Sequence, residues 1–227
     1  MNTRGLLDQL LRSGQQLLDN KAGTAKAGGA AGGLGGLLSG AGGGLLGGGA
    51  LGLLLGSKKA RKYGGKALTY GGLAALGVLA YKAYGNWQAN QQVAAAEPQT
   101  LDRLPPAQAE QHSQAVLRAL VAAAKSDGHI DERERALIEG EFTRLDSDRE
   151  LQHWLHAELN KPLDPAEVAR AAQTPEMAAE MYLASVMMVD QENFMERAYL
   201  DELARQLRLA PGLRQELESQ VRLAADK

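Results

Sequence analysis

Carboxylates supply most of the chemistry available to this chain, and they gather in two short stretches. The first reads Asp127-Gly128-His129-Ile130-Asp131-Glu132-Arg133-Glu134, followed by Leu137. The second reads Asp190-Gln191-Glu192-Asn193, followed by Glu196, Tyr199 and Leu200. Asp127 and Asp190 lie 63 residues apart and Glu134 and Glu196 lie 62 apart, so the second copy lacks one residue of the first. The pattern is an imperfect internal repeat of helix, acidic loop and helix. Neither copy is an EF-hand loop, which sets acidic residues at alternate positions ahead of its glycine, and Gln191 stands where the first copy has Gly128. On their own, Asp127 and Asp190 fit caps of the helices that follow, with Glu134 and Glu196 as first-turn charges facing the helix dipole.

Other chemistry is thin. The absence of cysteine removes disulfides, thiolate metal sites and cysteine nucleophiles. Of His112, His129, His153 and His156, only His153 and His156 share a helix face, and no HExxH order sets a glutamate between them. They read as surface residues. Ser185 stands alone in an apolar helix and reads as core. The glycine-rich segments lack both a GKS or GKT ending and a preceding strand, so they form no phosphate loop. The basic residues adjoin apolar sequence, where anionic lipid rather than nucleic acid is the natural partner. The expectation is a protein that binds rather than catalyses.

The elements that must hold these residues are helices. Pro106 suits the first turn of a helix whose apolar face is Val116, Leu117, Leu120, Val121 and Ala124. A second helix begins near Asp131 and runs through Leu137, Ile138 and Phe142. Ser147 with Glu150 forms a capping box ahead of Leu151, Trp154, Leu155 and Leu159. Asp164-Pro165 and Thr174-Pro175 each start a helix, the latter carrying Met177, Met181, Ala184 and Met188. A sixth covers Phe194 to Leu207, and a seventh starts around Pro211. Seven short helices over residues 106–227 predict a compact all-α domain with its own core.

The remainder of the chain differs in kind. Before residue 100 there are 10 Lys or Arg against 3 Asp or Glu, and after it 15 against 24, a net +7 followed by a net −9. Of the 27 glycines, only Gly128, Gly140 and Gly212 follow residue 100. Two separate physical explanations are needed. Residues 1–26 carry Leu6, Leu7, Leu10, Leu11, Leu17 and Leu18 on one side of an amphipathic helix. From Ala27 to Gly56 no residue is charged, and the length exceeds the ~20 residues that cross a bilayer. Within that run Gly28, Gly32, Gly36, Gly40, Gly44, Gly48, Gly52 and Gly56 form an unbroken four-residue repeat. Small residues so spaced let helices approach closely in lipid, which suits self-association of copies.

A basic cluster, Lys58, Lys59, Arg61, Lys62 and Lys66, precedes a second uncharged run, Ala67 to Tyr81. That run is short for a bilayer unless Lys66 and Lys82 snorkel and Tyr81, Tyr84 and Trp87 sit at the headgroups. If it alone spans, the basic cluster stays cytoplasmic and the acidic half lies outside. Residues 27–85 thus read as a membrane-associated region and 86–105, with Pro98, Pro105 and Pro106 at its end, as a linker.

The AKSDGHIDERE and VDQENFMERAYLDELA segments resemble the two signature stretches of a TerB-like (tellurite-resistance-type) helical domain. A glycine-rich apolar half ahead of such a domain resembles the YebE-type inner-membrane proteins of Gram-negative bacteria, a family of unknown function. The resemblance implies an all-α fold and membrane association, and no established activity. It also implies Asp127, Asp131, Glu134, Asp190 and Glu196 as candidates for binding a divalent metal ion. Carboxylates converging from two loops would suit Ca²⁺ or Mg²⁺, which take oxygen ligands, and the capping roles stand beside that expectation. The expected protein is a non-catalytic interaction or sensing module of the bacterial envelope. Its partners are the lipid bilayer, a second copy of itself and an unidentified protein, and its acidic domain faces the periplasm. The alternative is a metal-dependent sensor or enzyme with its cation between the acidic loops.

Overall fold

The computed structural model describes residues 3–5, 7, 72–91, 97–128, 139–140, 148–189 and 193–225. The glycine-rich run 27–56, the amphipathic stretch beyond residue 7 and the helix expected near Asp131, apart from helical residues 139–140, lie outside them. Among the described residues the fold is all-helical, with no strand. Its continuous helices are α1 (Gly72–Gln91), α2 (Pro106–Ala124), α3 (Arg149–Asn160), α4 (Pro165–Ala169), α5 (Pro175–Met188), α6 (Phe194–Gln206) and α7 (Pro211–Ala225).

The starts of these helices follow from local hydrogen bonding. The Thr174 hydroxyl accepts from Met177 N–H at 3.1 Å and the Asp164 carboxylate from Ala166 N–H at 2.8 Å, each with proline at the first helical position. Both caps satisfy donors that have no partner inside their helix. The cap of α3 is Asp148, whose carboxylate accepts from Glu150 and Leu151 N–H. It replaces the capping box expected from Ser147, because a carboxylate one residue later reaches two of the orphan donors itself.

Helix α5 is the axis of the fold. Every residue from Met177 to Met188 is buried, as expected of a helix apolar on all sides. Helix α2 packs most extensively against it through Val116, Leu117, Leu120 and Val121, and α1, α6 and α7 cover other faces. Helix α3 closes over α2 with Leu151, Leu155 and Leu159. Ser185 is fully buried and donates to the Met181 carbonyl, the core role its sequence setting suggests.

The largest departure from expectation concerns α1. The sequence offered residues 67–81 as a membrane span with Tyr81, Tyr84 and Trp87 as aromatic anchors, and of that run residues 67–71 lie outside the described residues. Instead Leu76, Ala80, Ala83 and Tyr84, one helical face, are buried against α7 and α5. Tyr81 lies under the Arg103 guanidinium, 3.9 Å from its centroid. No helix among the described residues is long and apolar enough to cross a membrane. The apolarity of the buried positions of α1 serves protein packing, and Lys82, Asn86, Asn90 and Gln91 are exposed.

The expected linker at 86–105 is correspondingly short of linker character. Helix α1 runs through residue 91, and Pro98, Thr100 and Leu101 are buried. The return segment presses so closely on α1 that a Cβ on Gly77 would sit 2.6 Å from Asp102 Oδ1 and 2.9 Å from its amide nitrogen. At the chain's start, Thr3 and Leu7 are buried, and the Thr3 and Arg4 amides donate to the Glu110 carboxylate on the first turn of α2.

Gly77 and Gly85 lie in the same helix in opposite circumstances, since nothing comes within 4 Å of a Cβ on Gly85. Gly77→Ala should therefore destabilise the fold by about 1–3 kcal/mol through overpacking. Gly85→Ala should stabilise it by about 0.5–1 kcal/mol by restricting the unfolded backbone. Thermal unfolding of the two variants checks both signs.

Candidate functional site

A cleft of about 680 Å³ opens where four parts of the fold meet: the last turns of α1, the turn after α4, the start of α5 and the α6–α7 connection. Its size falls in the range of small-molecule sites. The floor is small and apolar, from Ala169, Ala172, Ala178 and Ala210, and Leu207, Leu209 and Leu213 close one side. Tyr84 and Trp87 of α1 form the aromatic wall, packed edge to face with centroids 5.4 Å apart. Gly212 lets the indole lie against α7, with Trp87 Cδ1 3.2 Å from where a Cβ would stand. Burial pushes the Tyr84 hydroxyl above its ordinary pKa, and the nearby Glu176 charge adds to that. It remains a neutral hydrogen-bonding group at physiological pH.

Two arginines line the cleft, Arg170 and Arg208, and no aspartate or glutamate does. Arg208 owes its place to the way α6 ends. The Leu209 amide donates to the Ala204 carbonyl and the Arg208 amide to the Arg205 carbonyl, the hydrogen-bond pair of a Schellman motif. That motif puts its penultimate residue in the left-handed region, and Arg208 has φ +55°, where glycine is the usual occupant. Arg170 caps the C-terminus of α4 and approaches Asp164 at 4.0 Å from a side chain 74% exposed. Arg208 has no ion-pair partner among the described residues.

A second polar feature lies in the core. Glu180 of α5 is fully buried, and one of its carboxylate oxygens is 2.6 Å from His112 Nδ1 of α2. The other accepts the Leu101 amide of the segment returning from α1. Burial pushes the Glu180 carboxyl above the ordinary carboxylate range, while His112 and the Leu101 N–H pull the other way. Nearer the surface, Arg118 of α2 reaches Glu158 of α3 at 3.1 Å, tying the two helices together, and Lys161 at the end of α3 reaches the same carboxylate at 2.7 Å.

The residues singled out in the two acidic stretches are only partly within view. Asp127 is half-buried in the turn after α2, which closes at Gly128 with φ +79°. Glu196 is buried in the first turn of α6, whose cap is Asn193, accepting from Met195 N–H at 2.9 Å. Both residues are engaged in interactions within the protein. Asp131, Glu134 and Asp190 lie outside the described residues, and among the described residues no three His, Asp or Glu side chains converge as a metal site. Of the histidines, His153 and His156 are exposed, His156 beside Glu139 at 2.7 Å.

Residues 40–221 match the family described as "Protein of unknown function (DUF533)". The chain belongs to the DUF533 family. A Yersinia enterocolitica protein named "Uncharacterized protein in ampR 5'region" is 35% identical over 126 residues, covering 56% of this chain and 89% of that relative. No solved structure matches the chain. The DUF533 match begins inside the glycine-rich run and ends within α7, so α1 and the return segment belong to the same family unit as the helices after residue 106.

Sequence reasoning missed both the cleft and the buried pair. A lone glutamate in the otherwise apolar stretch from Met177 to Met188 was the available signal for the pair. The cleft had none, since its walls come from segments more than a hundred residues apart. Truncating His112→Ala leaves a buried carboxylate with half its partners and should cost about 3–5 kcal/mol, read by chemical denaturation. Glu180→Gln gives the sign of the pH dependence. A carboxyl whose folded pKa is raised contributes stability that is present below its unfolded pKa and lost as pH rises through the folded value. Wild type should therefore lose stability relative to E180Q as pH rises above about 4.5. A pH series of melting temperatures in which the two run parallel would contradict this.

Proposed function

We propose that this DUF533 protein is a non-catalytic sensing or interaction module of the bacterial envelope, with the cleft as its recognition surface. The observation that supports this is the position of α1. It follows the glycine-rich run and basic cluster directly, and it supplies Tyr84 and Trp87 to the cleft wall. Anything that fills the cleft bears on the helix leading back to the apolar half, a direct mechanical route between the two parts of the chain.

The apolar run 27–56 is the segment proposed to enter the inner membrane, as in the YebE-type proteins that the sequence resembles. With α1 packed in the domain, that run is left as a single candidate span, and this alters the orientation argument. The cluster Lys58, Lys59, Arg61, Lys62 and Lys66 now lies on the same side as the helical domain. Basic residues flanking a span favour the cytoplasm, so the proposed site of the domain is cytoplasmic rather than periplasmic.

Carbonate extraction of membranes and protease treatment of spheroplasts test the two halves of this reading. The full-length chain should stay in the carbonate-washed membrane and deletion of residues 27–56 should release it. The domain should resist protease until the spheroplasts are lysed. Full carbonate solubility would sink the anchor, and digestion in intact spheroplasts would sink the orientation.

A further inference from the structure

The charge around the cleft says more than its shape. Residues 101–227 carry 15 Lys or Arg against 24 Asp or Glu, so a concave surface in this part of the chain should by composition be acid-lined. This one has Arg170 and Arg208 and no carboxylate among its lining residues, and Glu176, which acts on the Tyr84 hydroxyl, lies outside the lining. A net-negative domain has gathered positive charge at this cleft. The Asp164 contact of Arg170 is long and exposed, which leaves that guanidinium available.

Arg208 adds a second, separate observation. The Schellman position it occupies is one that glycine fills without strain, whereas an L-residue with a side chain resists the left-handed conformation. Backbone strain held at a cavity is a recognised sign of function when the strained side chain faces the work. Here the strained residue delivers a guanidinium to the cleft, and guanidinium groups bind carboxylate and phosphate oxygens in paired hydrogen bonds. Beside the arginines, the alanine floor and the Tyr84–Trp87 wall offer apolar surface for the body of a ligand, and Gln173, Thr174 and Gln206 are the uncharged polar side chains of the lining.

We infer that the cleft binds a small anionic amphiphile, a carboxylate or phosphate carried on an apolar chain or ring, taken up as a freely diffusing molecule. The head group pairs with Arg170 and Arg208, and the body lies against Tyr84, Trp87 and Leu213. This rests on the reading of the cleft as the recognition surface and supplies the class of ligand it recognises.

Photolabelling of the full-length chain in its own membranes tests both and keeps them distinguishable. The probes are an eight-carbon carboxylate and the matching eight-carbon ammonium, each with a chain diazirine, and labelled positions are mapped by mass spectrometry. The carboxylate should label peptides bearing Tyr84, Trp87 or Leu213, with excess octanoate preventing it. The ammonium should label them at least ten-fold less. Combining Arg170→Gln with Arg208→Gln should lower the carboxylate labelling at least ten-fold. Arg208→Gly should lower it as well while raising the melting temperature, a pairing that a merely structural arginine would not give. Equal labelling by both probes, or labelling unchanged in the double variant, would overturn the anionic class and leave the recognition surface standing. Competition by anionic phospholipid vesicles but not by octanoate would overturn the diffusing source. Absence of cleft labelling by either probe would overturn the recognition surface itself.

Discussion

A carboxylate at the centre of an apolar helix sets the terms for everything packed around it. Glu180 sits on a helix with no solvent-facing side, so water cannot satisfy it and the protein must. It does so from two directions, with His112 of α2 and with the Leu101 amide. The amide is the more consequential, because it fixes the segment that returns from α1. That segment is held further by the Thr100 hydroxyl on Asp102 and by Arg103 over Tyr81. Once it is fixed, Gly77 permits the close approach that seats α1, and α1 in turn places Tyr84 and Trp87. The buried carboxyl group thus joins three chain segments and, through them, bears on the shape of the cleft.

The parts of the fold legible in the sequence were those written in local hydrogen bonding. Asp164-Pro165 and Thr174-Pro175 mark helix starts because a side-chain acceptor and a donor-free proline solve the same end problem. Pro106 and Pro211 likewise begin helices where their missing amides cost nothing. What the sequence concealed was the partner of each apolar face. Leu76, Ala80, Ala83 and Tyr84 are equally suited to lipid and to α7, and nothing in their types distinguishes the two. The aromatic and basic residues near α1 had the same ambiguity: a tyrosine beside an arginine describes a headgroup boundary and a cation–π contact equally well. His112 was illegible for another reason, since its partner lies 68 residues further along the chain.

Packing of α1 also relocates the joint between the two halves of the molecule. The change in charge and glycine content near residue 100 suggested a boundary there, yet the helix from residue 72 already belongs to the folded part. Most of the basic excess lies upstream of α1, in Arg4, Arg12, Lys21, Lys26 and the cluster ending at Lys66. The folded part therefore reaches back at least to Gly72, upstream of the boundary that composition alone indicates.

The pairing of α1 with α7 has a consequence for biosynthesis. These are the first and last continuous helices among the described residues, and each is the other's principal neighbour. During translation α1 leaves the ribosome with its apolar face uncovered, and α7 is not made until about 120 codons later. At 5–20 residues per second that interval is on the order of ten seconds. Throughout it the nascent chain displays two consecutive apolar segments, the glycine-rich run and α1. Only synthesis of α7 supplies the surface that covers the apolar face of the second.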